Sequence, residues 1–245
     1  LCSLLIEYGM DVEVAIGQDF GYPSERIVRG TPSELVGMSY GDLCVAMIIN
    51  RHPDTSVPLY IPDEEFIRGD APMTKSEVRT LSVAKLKLSP DSVVYDVGAG
   101  TGSVSVEMAL AAVEGTVYAI EKEEAAADLI EQNKRKFKTP NIEVVRGTAP
   151  EALEDLPLPT HAFIGGSSGN LREIVECLLS KNPDIRIVIN SVTIETLDET
   201  MAVIRDLGLA EEDIANVSIA KGRKLGRYHL MTAQNPVYIA VVRGR

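Results

Sequence analysis

Asp96-Val97-Gly98-Ala99-Gly100-Thr101-Gly102 puts a carboxylate two residues ahead of a G-x-G-x-G turn. Glycines let backbone approach a ligand closely where a strand hands over to a helix. In an open α/β sheet, the carboxyl end of the first strand is where ligands bind. The spacing discriminates between cofactors. Dinucleotide sites use G-x-G-x-x-G and seat a pyrophosphate on the helix N-terminus. Here the third glycine comes one residue early. A carboxylate before the turn would repel a pyrophosphate, whereas it suits the cationic methionine end of S-adenosylmethionine.

Four further segments carry chemistry-bearing types. Glu121 ends the apolar run Val117–Ile120, nineteen residues after Gly102. A carboxylate there can accept both ribose hydroxyls, or it is one charge of a solvated acidic run. Gly147-Thr148-Ala149-Pro150-Glu151 stands where an adenine would lie against backbone, although such a turn also starts a helix unaided. Ile164-Gly165-Gly166-Ser167-Ser168-Gly169 lacks the Asn/Asp-Pro-Pro-Tyr/Phe that grips a planar nitrogen. Its small residues leave room at Gly166 and Ser167 for a bulky ligand, or form a plain loop. Lys221–Arg227 holds four cations in seven residues. It reads either as a solvated loop or as a clamp for carboxylates, with Arg favoured for bidentate contact. His52, His161 and His229 are scattered, with His161 beside a core strand and structural. No nucleophile constellation and no metal-ligand spacing is present, so no catalytic residue is assigned.

These residues need a sheet to hold them. Strands are expected at Val93–Val97, Val117–Ile120, Ile142–Val145, His161–Ile164 and Ile185–Ile189. Helical stretches follow the first four near 102–113, 124–138, 150–154 and 169–181. That is the βαβ rhythm of a doubly wound, mostly parallel sheet. After a helix near Leu197–Leu207, strands at Val217–Ala220 and Val237–Val242 suggest a closing antiparallel hairpin. Thr74-x-x-Glu77 reads as a capping box opening a helix through Val78, Leu81, Ala84 and Leu88. Residues 1–60 read as a small α/β piece. In it Val12–Ile16 is a short strand, Ile27–Gly30 precedes a helix cap at Thr31-Pro32-Ser33-Glu34, and Leu43–Ile49 is a buried strand. Residues 53–60 read as a linker, and 61–245 as the catalytic domain.

Composition narrows the partners. The chain has 245 residues, with a formal net charge of −12 and aromatics at 5%. Phosphate contacts need a Lys/Arg footprint, and single strands need stacking aromatics, so nucleic acid is disfavoured. A local cationic patch can still meet an anionic small molecule. Three widely spaced cysteines without a CxxC point to a reducing cytoplasm. No apolar run reaches membrane-spanning length, and no signal peptide is visible. The chain opens at Leu1 in what reads as the middle of a helix, as a fragment would.

Taken together, Ile61–Phe66, Met73-Thr74-Lys75-Ser76-Glu77-Val78-Arg79, Asp96–Gly102, Gly147–Leu153, Gly165-Gly166-Ser167 and Ala220-Lys221-Gly222-Arg223 resemble the decarboxylating C15-methyltransferase family of cobalamin biosynthesis. Gln18–Ile27 resembles the end of the C5-methyltransferase module of the same pathway. Residues 1–52 are thus expected to be a remnant of that module, without its Gly-rich cofactor loop and without C5 methylation. The resemblance implies a Rossmann-like class I methyltransferase fold and S-adenosylmethionine as cofactor. It also implies methyl transfer to C15 of a precorrin or cobalt-precorrin, coupled to loss of CO2 from the ring-C acetate, and assembly as a tetramer. Decarboxylation leaves electron density that the macrocycle delocalises, and no general base at carbon is required. Cofactor contacts are expected from Thr74, Asp96, Gly98, Ala99, Gly100, Thr101, Gly102, Glu121, Thr148 and Ala149. Thr148 stands where many relatives carry Asp, which moves its expected contact to backbone. Substrate contacts are expected from Arg223, Lys224, Arg227, Gly166 and Ser167, with Arg79 the next candidate. The rivals are a methyltransferase acting on protein or RNA, and a module that only binds the cofactor.

Overall fold

The structure, a computed structural model, describes residues 1–53 and 60–244. Most of the expected linker at 53–60 thus lies outside the described residues. The chain divides into two compact units, Leu1–Ser56 and Val57–Arg245.

The first unit contains α1 (Cys2–Glu7), β1 (Glu13–Gln18), β2 (Arg26–Gly30), α2 (Pro32–Leu35) and β3 (Cys44–Ile49). Its antiparallel sheet has the order β2-β1-β3. Thr31 and Glu34 form a reciprocal capping box at the start of α2, with Pro32 in the first turn. Val14 and Ile16 of β1 pack with Leu5, Val12 and Leu35. The expectation of a buried strand at Leu43–Ile49 is corrected. β3 forms, but it is exposed along almost its whole length. The two short helices pack on each other, and α2 covers β1 and β2, which leaves β3 without cover.

The second unit runs α3 (Ser76–Leu86), β4 (Val93–Val97), α4 (Ser103–Ala111), β5 (Thr116–Glu121), α5 (Glu124–Lys136), β6 (Ile142–Arg146), β7 (His161–Ile164), α6 (Leu171–Lys181), β8 (Arg186–Ser191) and α7 (Ile194–Asp206). It closes with β9 (Ala210–Val217), β10 (Ala220–Leu225), β11 (Tyr228–Ala233) and β12 (Val237–Arg243). Seven strands form one sheet in the order β6-β5-β4-β7-β8-β12-β9. β4 through β8 are mutually parallel, and β12 is antiparallel to both β8 and β9. This is a Rossmann-like α/β fold with terminal antiparallel strands.

Alternation sorts the strand residues between two cores. Val94, Val117 and Ala119 face Val78, Met108 and Ile130 of α3, α4 and α5. Tyr95, Val97 and Ile120 face Ile174, Leu178 and Val203 of α6 and α7. Strands covered on both faces are largely apolar, which is why they read as near-continuous runs. The connection reverses direction between β4 and β7, and the loops after β4, β5, β6 and β7 converge at that switch point. Among the described residues, no helix is long and apolar enough to cross a membrane.

Three local expectations change. α3 begins at Ser76 with Lys75 as its cap and no side-chain cap bond, not at a Thr74 box. Glu77 is drawn instead to Lys221, at 2.8 Å. The penultimate sheet strand starts at Ala210, not Val217, because an exposed edge strand tolerates the acidic run Glu211-Glu212-Asp213. Finally, the connection between β9 and β12 is not a loop. It is the separate two-stranded ribbon β10–β11.

Candidate active site

The loops after the parallel strands enclose a cleft of about 330 Å³. That is within the range of small-molecule sites. Asp96, Gly98, Ala99 and Gly100 line it from β4 and its turn. Glu121 comes from β5, Thr148 and Ala149 follow β6, and Gly166 and Ser167 follow β7. Thr74 lines it from the segment before α3. Ten expected residues, far apart in sequence, thus share one wall.

The turn is built by close approach. A Cβ on Gly98 would stand 2.6 Å from the Gly166 carbonyl oxygen, and Gly98 has φ +74°. Only glycine meets both conditions, so the β4 and β7 loops touch here. The amides of Gly98 and Ala99 donate to the Ile120 carbonyl at 3.1 Å, and that of Gly102 to the Ala99 carbonyl at 2.8 Å. The Gly100 amide donates to Glu121 Oε2 at 2.8 Å. Four donors of the turn are therefore engaged within the protein and are not free to cradle a pyrophosphate.

What faces the cleft instead is negative. Asp96 is wholly buried. Its Oδ2 accepts from the Ser105 hydroxyl on α4. Its Oδ1 has no hydrogen-bond partner among the described residues. An unmatched buried acceptor is costly, and it marks a place for a donor from a ligand. Burial pushes the Asp96 carboxyl up to about 7, with the Ser105 bond opposing and the charge of Glu121 adding to the rise. Glu121 Oε1 accepts from the Glu123 amide at 2.9 Å, so both carboxylate oxygens are fixed at the rim by backbone. Each oxygen keeps a lone pair for a hydroxyl donor.

Two expected cofactor residues do not line the cleft. Thr101 is buried, and its carbonyl accepts from Asn133 Nδ2 at 2.9 Å. Gly102 packs its Cα against Ile130, where a Cβ would come within 2.9 Å. Both build the turn.

Arg79 is a correction. Its side chain is fully buried, with Nε donating to Glu107 at 2.6 Å and Nη1 to Asp63 at 3.1 Å. Nη1 also donates to the Thr74 carbonyl at 2.7 Å, and Nη2 donates to the Ile61 carbonyl. The guanidinium lies 4.6 Å from the Phe66 ring centroid. Four of its five N–H donors are thus engaged within the protein and the side chain is shut off from solvent, so it is not placed to meet a substrate carboxylate. Arg79 instead fixes the segment that brings Pro72 and Thr74 to the cleft.

The clamp residues stand elsewhere. β8 ends at Ser191, opposite Tyr238 of β12, and Val237 pairs with Val217 of β9. The ribbon therefore leaves the sheet at its carboxyl edge, the edge that holds the cleft. Arg223 and Lys224 lie on β10 and Arg227 in the turn, all exposed. Lys221 is tied to Glu77 at the start of α3. His161 sits at the opposite end of the sheet, lowered to about 4 by burial and by Arg186 and Arg243.

Sequence reasoning passed over Pro72, Gly147 and Ser168, which also line the cleft. Gly147 and Ser168 stood inside quoted segments. Pro72 has no signal in its own type. A second cleft of about 360 Å³ lies beside the first and shares Gly165–Ser168 with it.

The family described as precorrin methyltransferase domain matches residues 65–243. A probable cobalt-precorrin-6B C(15)-methyltransferase (decarboxylating) of Pyrobaculum calidifontis is 42% identical over 182 residues, which is 73% of this chain and 93% of the relative. The crystal structure of a precorrin-6y C5,15-methyltransferase from Geobacter metallireducens is 37% identical. It covers 76% of this chain and 99% of its own, with a TM-score of 0.72. That of a precorrin 8w decarboxylase from Methanobacterium thermoautotrophicum is 36% identical. It covers 74% and 98%, with a TM-score of 0.69.

Proposed function

The chain belongs to the precorrin methyltransferase family, and from that premise we propose that it transfers a methyl group from S-adenosylmethionine to C15 of a precorrin or cobalt-precorrin. The transfer is coupled to decarboxylation of the ring-C acetate. The observation that carries this reading is the buried, unpartnered Asp96 Oδ1 facing a cleft whose turn amides are already engaged. Such a site accepts a cation and offers little to a pyrophosphate.

The residues present fit the cofactor. Asp96 would receive its ammonium, Glu121 its ribose hydroxyls, and the backbone at Thr148 and Ala149 its adenine. When bound, the cofactor supplies an electrophilic methyl on a cationic sulfur. The chain's own part is to orient and to exclude water. Gly98 against Gly166 sets the distance between the cofactor turn and the loop shared with the second cleft, where Gly166 and Ser167 would meet the macrocycle. Orientation of two reactants is worth up to ~7–11 kcal/mol. The departing carboxylate leaves its electron pair on the substrate, so no side-chain base is needed at carbon. Arg223, Lys224 and Arg227 supply the positive charge that the substrate's carboxylates meet. Residues 1–52 belong to a C5-methyltransferase module in this reading, supported by the resemblance of Gln18–Ile27. Tetrameric assembly rests on the same resemblance.

A turnover assay tests the function. S-adenosylhomocysteine should be released with a precorrin-type tetrapyrrole and not with RNA or protein. Release with RNA or protein alone would reverse the assignment.

A further inference from the structure

Asp96 stands among apolar neighbours. In the sheet it lies opposite Ala119 of β5 and Phe163 of β7, and neither side chain can donate to its carboxylate. The donor comes from α4. Ser105, fully buried, gives its hydroxyl proton to Asp96 Oδ2. Its backbone amide also favours the charged carboxylate. Ser105 is the third residue of α4, in the turn whose amides find no partner within the helix. That turn holds no acidic residue and no side-chain cap. The Asp96 carboxylate therefore also supplies the negative charge that a helix N-terminus favours.

A serine inside a helix often turns its proton to the carbonyl four residues back. Ser82 of α3 does so, donating to the Val78 carbonyl at 2.8 Å. For Ser105 that carbonyl belongs to Thr101, and it receives Asn133 Nδ2 from α5 at 2.9 Å. The Ser105 hydroxyl is left to Asp96. One carboxylate oxygen is thus held from inside the protein, while Oδ1 has no partner among the described residues. Few charges face this pair. Glu121 comes from β5, and its charge disfavours a second one on Asp96. On α4, Glu107 is paired with Arg79 of α3 at 2.6 Å, and Arg79 also holds Asp63. Lys122 and Glu123 stand on the cleft wall. The Ser105 hydroxyl is the one side-chain donor that Asp96 has among the described residues.

We propose that Ser105 is a positioning residue for the methyl-donating cofactor: by holding Oδ2 it turns Oδ1 into the cleft and keeps the carboxylate fit to receive the cofactor's ammonium. Ser105 touches no ligand itself and acts through Asp96. The inference rests on the cofactor site proposed above, and the experiment separates the two.

Ser105→Ala removes one oxygen and leaves the helix backbone in place; Ser105→Thr restores the hydroxyl. Affinity for S-adenosylhomocysteine is measured by calorimetry between pH 6 and 8.5 in the parent, both variants and Asp96→Asn, with thermal midpoints alongside. In the parent, burial lifts Asp96 to about 7 and the Ser105 bond opposes the rise. Loss of a hydrogen bond to a charged group should move the midpoint of the pH profile up by about one pH unit. Ser105→Ala should then bind roughly fivefold more weakly than the parent at pH 7, and less than about twofold more weakly at pH 8.5. Ser105→Thr should return the parent's profile. A Ser105→Ala profile with the parent's midpoint overturns the inference, whether affinity is kept or falls by one factor at every pH. So does a folded Ser105→Thr chain that behaves like Ser105→Ala; if the threonine chain does not fold, Ser105→Ala decides alone. An Asp96→Asn variant that keeps the parent's slope refutes the role of Asp96 and the inference with it. A flat Asp96→Asn profile beside an unmoved Ser105→Ala profile refutes the role of Ser105 only.

Discussion

Cofactor binding should tighten as pH rises through neutrality, and Asp96 should be the reason. Burial holds this carboxyl at about 7 in the free chain. Its Oδ1 awaits a donor, and the α-ammonium of S-adenosylhomocysteine is the donor proposed. At pH 6 about a tenth of molecules would carry the Asp96 charge, and at pH 8 about nine tenths, so affinity should rise about tenfold, or about 1.4 kcal/mol. The sign for the free chain is opposite. The folded value lies above the ordinary 3.8, so between those values the folded state holds a proton that the unfolded state has lost. This contribution to stability is complete below the lower value and disappears as pH rises through the upper one. Asp96→Asn keeps the shape, and its affinity should be flat with pH. Calorimetry in two buffers of different ionisation enthalpy counts the protons released on binding. A parent that releases none near pH 6, or an Asn variant with the parent's slope, would refute the role given to Asp96.

Other perturbations separate the remaining roles. Glu121→Ala should weaken S-adenosylhomocysteine binding by ~1.5–3 kcal/mol for each charge-assisted bond lost; an unchanged dissociation constant in calorimetry would put the ribose elsewhere. Gly98→Ala meets the Gly166 backbone and a positive φ, so both affinity and thermal midpoint should fall. The φ penalty alone of ~1–2 kcal/mol corresponds to a few degrees. Gly166→Ala, with nothing within 4 Å of its added Cβ, should leave the thermal midpoint where it is. Replacing Arg223, Lys224 and Arg227 together by Ala should raise the KM for the macrocycle and reduce its salt dependence, with cofactor affinity preserved. An unchanged KM would return the cluster to plain solvated charge.

Local pattern made the parallel half of the sheet readable. Val93–Val97 and His161–Ile164 are bounded as the apolar runs suggest, because burial on both faces favours near-continuous hydrophobicity, which Asp96 interrupts at the site. The turn and Glu121 were readable because each sits directly at a strand end. What local pattern could not report was long-range pairing. Arg79 looks like a free cation until Asp63 and Glu107, 16 and 28 residues away, are seen to bury it. The run Leu43–Ile49 reads as buried, but burial depends on cover that only the assembled unit reveals. In β10 the cations that suggested a clamp also hid a strand, since Lys, Gly and Arg dilute any apolar alternation. The two faces of the ribbon became separable only once Arg223 was seen opposite Leu230 and Lys224 opposite His229.

The most direct test of the proposed reaction is mass spectrometry of the product formed from a precorrin-type substrate and isotopically methyl-labelled S-adenosylmethionine. The account predicts one labelled methyl gained and one CO2 lost in the same product. A methylated product that keeps every carboxylate, or a decarboxylated one without the label, would contradict the coupling. No mass change at all, from a chain that binds S-adenosylhomocysteine, would leave a cofactor site without the proposed chemistry.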